Sequence, residues 1–503
     1  MRIKKKYLFV LNVVIAVIFA ILFFKNHIGM NLLIFELITL PFMVYFNRPL
    51  KINLLTGTLF ISTIITAVLT VLINTTWCIV INTCLFFLFN AAVSLKSIRS
   101  FLHLSWETFA RFFMSQFRLL VRWHKPKSSP IVINFRKIFL FILLPLFLIA
   151  LFIGLYAWAN PIFYEKFSVV IDAVLDFLDK INFLFVLYLL IGMLVANAIF
   201  IPVNPMCLYK QDLNSTTDLQ RKRNRVSFYH FRFNGLQTQL ISAVIILVAL
   251  NLLIGFFNYL DITHVWFNFE WDGRTLSKFV HEGTYVLLVT ILLSAGIALY
   301  YFRKNLNFYK KNKLLKVLSV IWLLQNAVLT FSVVVRNLWY IQYFGLAYKR
   351  VALLFFLALV IFGLFTIILK ILLRKNSYFL LMSNSFAVLL VFVISSFVNW
   401  NVVIAKYNTD NYDKIIFDLK FLSELDDSAL PYILKTDAEI EKIEAAHLKN
   451  VRKNNYCYAD FDYYYYDRIK SRKEKFMEEY PKRNILEWNL ADKQVYDFFK
   501  NKE

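Results

Sequence analysis

Three short stretches hold most of the side chains that could do chemistry in an otherwise apolar chain. The first is residues 336–350, RNLWYIQYFGLAYKR, which packs three cations, four Tyr or Trp side chains and one glycine between two long apolar runs. On a helix, Arg336, Tyr340 and Tyr343 fall at i, i+4 and i+7, on one face. Asn337 sits beside them, Gly345 is placed to stop the helix, and Lys349 and Arg350 open the next run. Arginine among aromatic rings suits recognition of a phosphate or carboxylate with stacking of a sugar or ring. The second stretch is His281-Glu282-Gly283-Thr284-Tyr285, at the end of a polar loop over 260–282 that leads into another apolar run. It resembles the start of a zinc-protease HExxH motif, but Tyr285 stands where the second histidine ligand must be, and that chemistry is excluded. Glu282 has an alternative role there, as a charge complementing a helix N-terminus. The third is residues 395–408, SSFVNWNVVIAKYN, with Asn399 and Asn401.

All three stretches lie at the ends of apolar runs on one side, so they can converge. The expected ligand-binding set is therefore His281, Glu282, Tyr285, Arg336, Asn337, Tyr340, Tyr343, Lys349, Arg350, Asn399 and Asn401, facing outward and taking an anionic lipid or glycan. Two other readings compete. The cations can be snorkelling anchors in an aromatic belt, or they can pair with Glu282, Asp272 and Asp261 in the neighbouring loop. Inside the apolar runs, Glu36, Gln325 and Asn326 stand out, because intramembrane ionisable groups are costly and mark function by default. For the two amides, ordinary interhelical hydrogen bonds are the simpler reading.

The elements that must position these residues are transmembrane helices. Hydrophobic residues make up 59% of the 503 and charged residues 17%, against about 45–50% and 25% in soluble domains. Eleven apolar runs are long enough to span: 7–24, 28–46, 53–73, 77–95, 137–159, 181–203, 238–259, 284–302, 315–335, 351–372 and 378–398. The third and fourth form a hairpin across Asn74-Thr75-Thr76. The basic start MRIKKK, with no small-residue cleavage site after it, reads as a retained first span.

The net charge of +24 is uneven. Residues 409–503 hold 17 Lys/Arg and 20 Asp/Glu, which leaves 39 against 12 in residues 1–408. Loops 96–137, 204–237 and 303–316 carry nine, six and six Lys/Arg against one, two and no acids. Alternating helices put all three on the side of the N-terminus, and the positive-inside rule makes that side cytoplasmic. The positive charge is thus topological, and nucleic-acid binding is not expected. Lys349 and Arg350 fall on the outer side, where this rule does not place them. The four cysteines form no CxxC and no framework, and neither a metal nor a cofactor is expected.

Residues 97–125 read as an amphipathic interfacial helix, with Phe101, Leu104, Phe109, Phe112, Phe113 and Leu120 on its apolar face and Arg111, Arg118 and Arg122 toward lipid phosphates or water. Residues 162–180 suggest a similar helix outside. The run 221–225 is a topology determinant. After Trp400 the chain turns polar: short helices over 413–434 with a turn at Asp426-Asp427-Ser428, a solvated helix over 437–450, a Tyr-rich segment, and a closing helix capped by Asn489.

The motifs HEGTY, RN-x2-Y-x4-GLAYKR and FVNWN-x4-KYN, with DLKFLSELDDSALP and EWNLADKQ in the tail, resemble an uncharacterised bacterial family of polytopic membrane proteins, domain of unknown function 4173, related to 4153. The resemblance covers roughly residues 160–500 and implies an integral membrane protein, with no activity attached.

The expected fold is all-α. It comprises N-terminal transmembrane helices (1–96), a cytoplasmic amphipathic and basic segment (97–136), a main transmembrane domain (137–400) and an extracytoplasmic helical domain (401–503), in a bacterial inner membrane with the N-terminus in and the C-terminus out. Membrane lipids are the expected partners, and the sequence leaves oligomeric state open. The expected function is binding or transport of an anionic envelope-related molecule. A transferase acting on lipid-linked substrates and a non-catalytic scaffold are the alternatives. No ATP-binding motif, kinase motif or nucleophile elbow is present.

Overall fold

The structure, a computed structural model, describes residues 5–48, 52–122, 144–159, 182–203, 207–221, 236–267, 273–302, 305–453 and 464–502. Each of the eleven apolar runs falls on a helix: α1 (Lys5–Phe23), α2 (Met30–Phe46), α3 (Leu54–Leu72), α4 (Thr76–Leu95), α6 (Leu144–Ala159), α7 (Phe183–Phe200), α9 (Leu236–Asp261), α10 (Gly273–Tyr301), α11 (Lys313–Phe344), α12 (Tyr348–Leu372) and α13 (Ser377–Ser395). Between them lie α5 (Phe101–Arg122) and α8 (Cys207–Asn214). Eight of the eleven are long and apolar enough to cross a membrane, while α1, α2 and α6 carry shorter apolar stretches. This is an integral, multi-pass membrane protein.

Apolar sequence alone would not say where each helix starts, and short polar side chains do that. Asn53, Thr75 and Asn376 each accept a hydrogen bond from the backbone N–H three residues on, at 2.8, 3.3 and 3.1 Å, satisfying donors the first turn leaves open. The Asn74-Thr75-Thr76 turn is as tight as the sequence implies.

Two apolar cores divide the membrane part. The first joins α1–α5 to α7; the second joins α9–α12. Helix α13 belongs to both, giving Leu389 and Val393 to the first and Leu380 to the second. Large apolar side chains on the outer faces of α7, α9, α10 and α11 remain exposed, as lipid-facing residues must.

The basic loops come together at one end. There the buried Asp212 carboxylate accepts from the backbone N–H of Arg99 and Ser100 and from the Tyr378 hydroxyl, and it meets His103 Nδ1 at 3.1 Å. Asn376 N–H donates to Thr217 O at 2.9 Å. Helix α5 lies here, and its apolar residues point two ways. Leu104 is buried in the first core and Phe112 meets Phe87, while Leu102, Trp106, Phe109 and Phe113 form an exposed stripe. Leu120 and Arg122 have side chains outside the described residues, as do the expected outer helix at 162–180 and most of the run 221–225.

At the opposite end a helical tail rests on the bundle, built from α14 (Trp400–Asp410), α15 (Leu419–Ser423), α16 (Leu430–Ile433), α17 (Asp437–Lys453), α18 (Tyr465–Glu479) and α19 (Leu490–Lys500). It has a core of its own, including Ile404, Leu422, Leu430, Ile469 and Phe499. Asn489 caps α19 as expected, accepting from Asp492 N–H at 2.8 Å. Met30 N–H donates to Trp488 O at 3.1 Å and Asn484 Nδ2 to Asn26 Oδ1 at 2.7 Å, so the tail sits against the α1–α2 loop.

One boundary differs from expectation. Helix α10 begins at Gly273, eleven residues before the apolar run it contains, so His281-Glu282-Gly283 is a turn within a helix and residue 282 lies beyond its first turn. At 29 residues and 1.5 Å per residue, α10 outruns the roughly 30 Å hydrocarbon core, and its polar first turns need no membrane to stay helical.

Candidate functional site

The residues expected to form one ligand site separate into two groups with different jobs. Arg336 lies on the buried face of α11, where its guanidinium pairs with Asp261 at the end of α9. The Ser332 hydroxyl, one turn back, also donates to Asp261 and accepts from Trp266 Nε1 at 3.0 Å. Trp266 ends a π-helical turn, Ile262–Trp266, and Trp339 Nε1 donates to Val265 O within it at 3.2 Å. Gly283 makes room for this arrangement, since a Cβ there would lie 3.0 Å from Arg336 Nη1. The backbone at Gly283 and the Arg336 side chain are therefore neighbours. The charge, however, is met by Asp261, one of the acids named as an alternative partner. Tyr285 is exposed. The side chains of His281 and Glu282 lie outside the described residues.

The second group ties α11 and α12 to the tail. Arg350 donates to the carbonyls of Phe344, at 2.8 Å, and Gly345, and its guanidinium lies 4.4 Å from the Tyr340 ring centre. It thus neutralises the carbonyl end of α11. Asn337 Nδ2 donates to Arg350 O at 3.1 Å, and Tyr343 O accepts from Ile416 N–H in the tail at 2.8 Å. Asn408 clamps Leu346 through both its N–H, at 2.6 Å, and its carbonyl, at 2.9 Å. Asn399 caps α14 by accepting from Val402 N–H at 3.3 Å. Lys349 is exposed. Asn401 donates to Asp426 Oδ2 at 2.8 Å, accepts from Asp426 N–H at 3.2 Å and accepts from the Tyr348 hydroxyl.

Asn401 leads to cavities that no single motif announced. One, about 750 Å³, opens between α4, α12, α13 and α14. Trp77, Phe355, Phe356, Phe392 and Trp400 line it, and Thr75, Thr76, Asn401 and Asp426 close its polar end. The other, about 490 Å³, lies between the tail and the turns at 27–28 and 73–76, and its lining includes Asp427, Arg472, Lys475, Arg483 and Asp492. Thr76 and Asp426 line both cavities. An apolar chamber and a polar chamber therefore meet at one wall.

The cations of the polar chamber are already engaged. Arg472 meets Asp427 at 2.6 Å and donates to the carbonyls of Ser423 and Leu425, Arg483 meets Asp492 at 2.6 Å, and Lys475 lies 3.8 Å from Glu479. Asp426 has no ion-pair partner among the described residues. Burial pushes its carboxyl above the usual carboxylate range, opposed by the Asn401 hydrogen bond. What the wall offers an occupant is thus a hydrogen-bond acceptor. No group of three or more His, Cys, Asp or Glu is placed to hold a metal among the described residues.

Of the residues lining the apolar cavity, Asn401 is in the expected set, while Thr76, Trp77, Tyr348 and Asp426 are not. The two turns that form the wall, Asn74-Thr75-Thr76 and Asp426-Asp427-Ser428, were legible only as chain reversals. Both place small polar residues beside aromatic-rich helix ends, which is the one signal that pointed here.

A family model described as a domain of unknown function, DUF4153, matches residues 59–436, more than half of the chain. The match starts at the third span, earlier than the motifs alone suggested, and includes the Asp426 turn. No curated protein and no solved structure matches the chain.

Proposed function

The chain belongs to the DUF4153 family, and from that premise we propose that it is a lipid-binding membrane protein. Its ligand is a membrane lipid whose chain occupies the aromatic chamber and whose headgroup reaches past Asp426 into the polar chamber. The observation behind this reading is the wall that Thr76 and Asp426 share. A purely apolar ligand would leave the polar chamber unused, and a soluble polar one would gain nothing from five aromatic rings. The engaged cations argue against a strongly anionic headgroup. The lone carboxylate favours one that presents hydroxyl or ammonium donors, such as a glycosylated or aminated lipid.

In this reading the basic end is cytoplasmic and the tail extracytoplasmic, supported by the shared placement of the basic loops. A cysteine at Lys313 should resist an impermeant thiol reagent applied to whole cells, and its labelling from outside would reverse the orientation.

Ala352 lines the apolar chamber, so Ala352→Phe should fill it without touching the tail. Native mass spectrometry of the gently solubilised protein should find a retained lipid in the parent and a severalfold loss in the variant, with helical content and membrane abundance unchanged. Equal retention in the two would sink the proposal.

A further inference from the structure

Glu36 lies near the middle of α2, 2% exposed, in the first apolar core. The one hydrogen bond its carboxyl shows is from Asn82 Nδ2, long at 3.4 Å. The same amide nitrogen donates to Thr63 O at 3.2 Å and to Thr66 Oγ1 at 3.1 Å, so three oxygens from two helices crowd one donor. Asn82 itself is fully buried, and its Oδ1 has no partner. No Lys or Arg pairs with Glu36 among the described residues. A cavity of about 320 Å³ runs along Glu36 between Phe19, Phe35, Phe86 and Tyr188, and reaches Asn26 and Ile28 in the α1–α2 loop. Ile28 also lines the polar chamber under the tail.

A carboxylate taken out of water without a counter-charge is among the costliest groups a protein can bury. One long amide bond returns a small part of that cost. The missing charge must come from outside the fold, and the cavity supplies a route. We propose that Glu36 is an exchange site for a monovalent cation, a proton or a sodium ion, that enters from the α1–α2 loop. In the proton case the carboxylate gains an O–H bond and nothing else changes. In the sodium case the carboxylate, Thr66 Oγ1 and Thr63 O are ligands in place, and Asn82 adds its unpartnered Oδ1 by turning its amide over, an orientation assigned by the hydrogen-bond pattern alone. The surrounding elements present few other titratable groups: Cys78 on α4, whose thiol donates to Thr66 O, Tyr188 on α7 across the cavity, and Lys25 and His27 in the loop. Helices α1 and α3 turn Phe19, Phe23, Thr63 and Thr66 toward it.

The test needs no known activity. Dicyclohexylcarbodiimide, a membrane-soluble reagent, adds to protonated carboxyls, and peptide mapping by mass spectrometry locates the adduct. Glu36 should be modified in the intact protein, with labelling falling severalfold as pH rises if it exchanges a proton. If it holds sodium, sodium chloride should protect it at fixed pH where potassium chloride does not. The near-isosteric Glu36→Gln variant should remain folded and lose the adduct. A folded protein left unlabelled at every pH, or labelled equally whatever the pH and sodium concentration, would overturn the assignment.

Discussion

Arg336 and Asp426 both lie at the tail-side end of the bundle. By charge and position Arg336 is the one that looks like a group awaiting a ligand, while Asp426 reads as part of a turn. Their surroundings resolve differently. Arg336 is held by Asp261 from α9, supported by Ser332, so its charge is answered inside the fold. Asp426 has an amide for a hydrogen-bond partner, no ion pair among the described residues, and open volume on either side. A conspicuous cation in an aromatic belt can thus be a rivet between spans, while a plain acidic turn in the tail becomes the wall of a cavity. The distinction is between polar groups whose partners arrive with the fold and those whose partner must come later. Glu36 belongs with Asp426 in the second kind.

The strongest way to break this comparison is to remove one side of the closed pair. Asp261→Ala removes the carboxylate that pairs with a buried guanidinium, and breaking a buried ion pair costs about 3–5 kcal/mol. A large fall in the apparent melting temperature of the detergent-solubilised protein should follow. Replacing both partners, Asp261→Leu with Arg336→Met, should recover part of the loss, because the pair is then removed as a unit. A single variant as stable as the parent would mean that Arg336 is not answered by Asp261, and would return it to the list of ligand-facing cations.

A smaller effect is expected at the joint between the regions. Gly345 holds φ +78° and ψ −175°, a backbone region nearly confined to glycine, and a Cβ there would lie 2.5 Å from Asn408 Oδ1. Gly345→Ala should cost about 1–3 kcal/mol in backbone strain and loosen the Asn408 clamp on Leu346. Protease should then cut the tail faster, and the retained lipid should fall, although no chamber residue has changed. Loss of lipid without faster cleavage would place the lipid away from the tail.

What the sequence disclosed follows the same division. The described part of every apolar run is helical, because a stretch of about twenty apolar residues has few other stable fates. Gly345 as a helix stop and Asn489 as a cap were legible because each acts on its nearest neighbours. The Asp261–Arg336 pair could be named only as one option among three, since 75 residues separate its members. The chamber wall was legible only as two turns and one asparagine. Thr76, Tyr348, Asn401 and Asp426 come from four separate elements, and no local pattern says that they meet. The start of α10 was misplaced for a related reason: hydropathy reports where a helix meets lipid, and this helix runs on past it.

The mildest prediction separates the regions most sharply, because it reverses the usual sign. Burial raises the folded-state value of the Asp426 carboxyl above its ordinary 3.8. The folded protein therefore holds this proton more tightly than the unfolded chain does, and the cost of burying the charge appears as pH rises through the folded value. Asp426→Asn stays neutral throughout. It should be slightly more stable than the parent at neutral pH, by less than about 1 kcal/mol because water reaches the side chain, and the difference should vanish in acid. The same variant should retain less lipid, since an amide oxygen is a weaker acceptor than a carboxylate. Greater stability with weaker binding is the behaviour of a residue kept for its ligand. If Asp426→Asn instead destabilises the protein as Asp261→Ala does, Asp426 belongs with the rivets, and the two chambers meet at a structural seam.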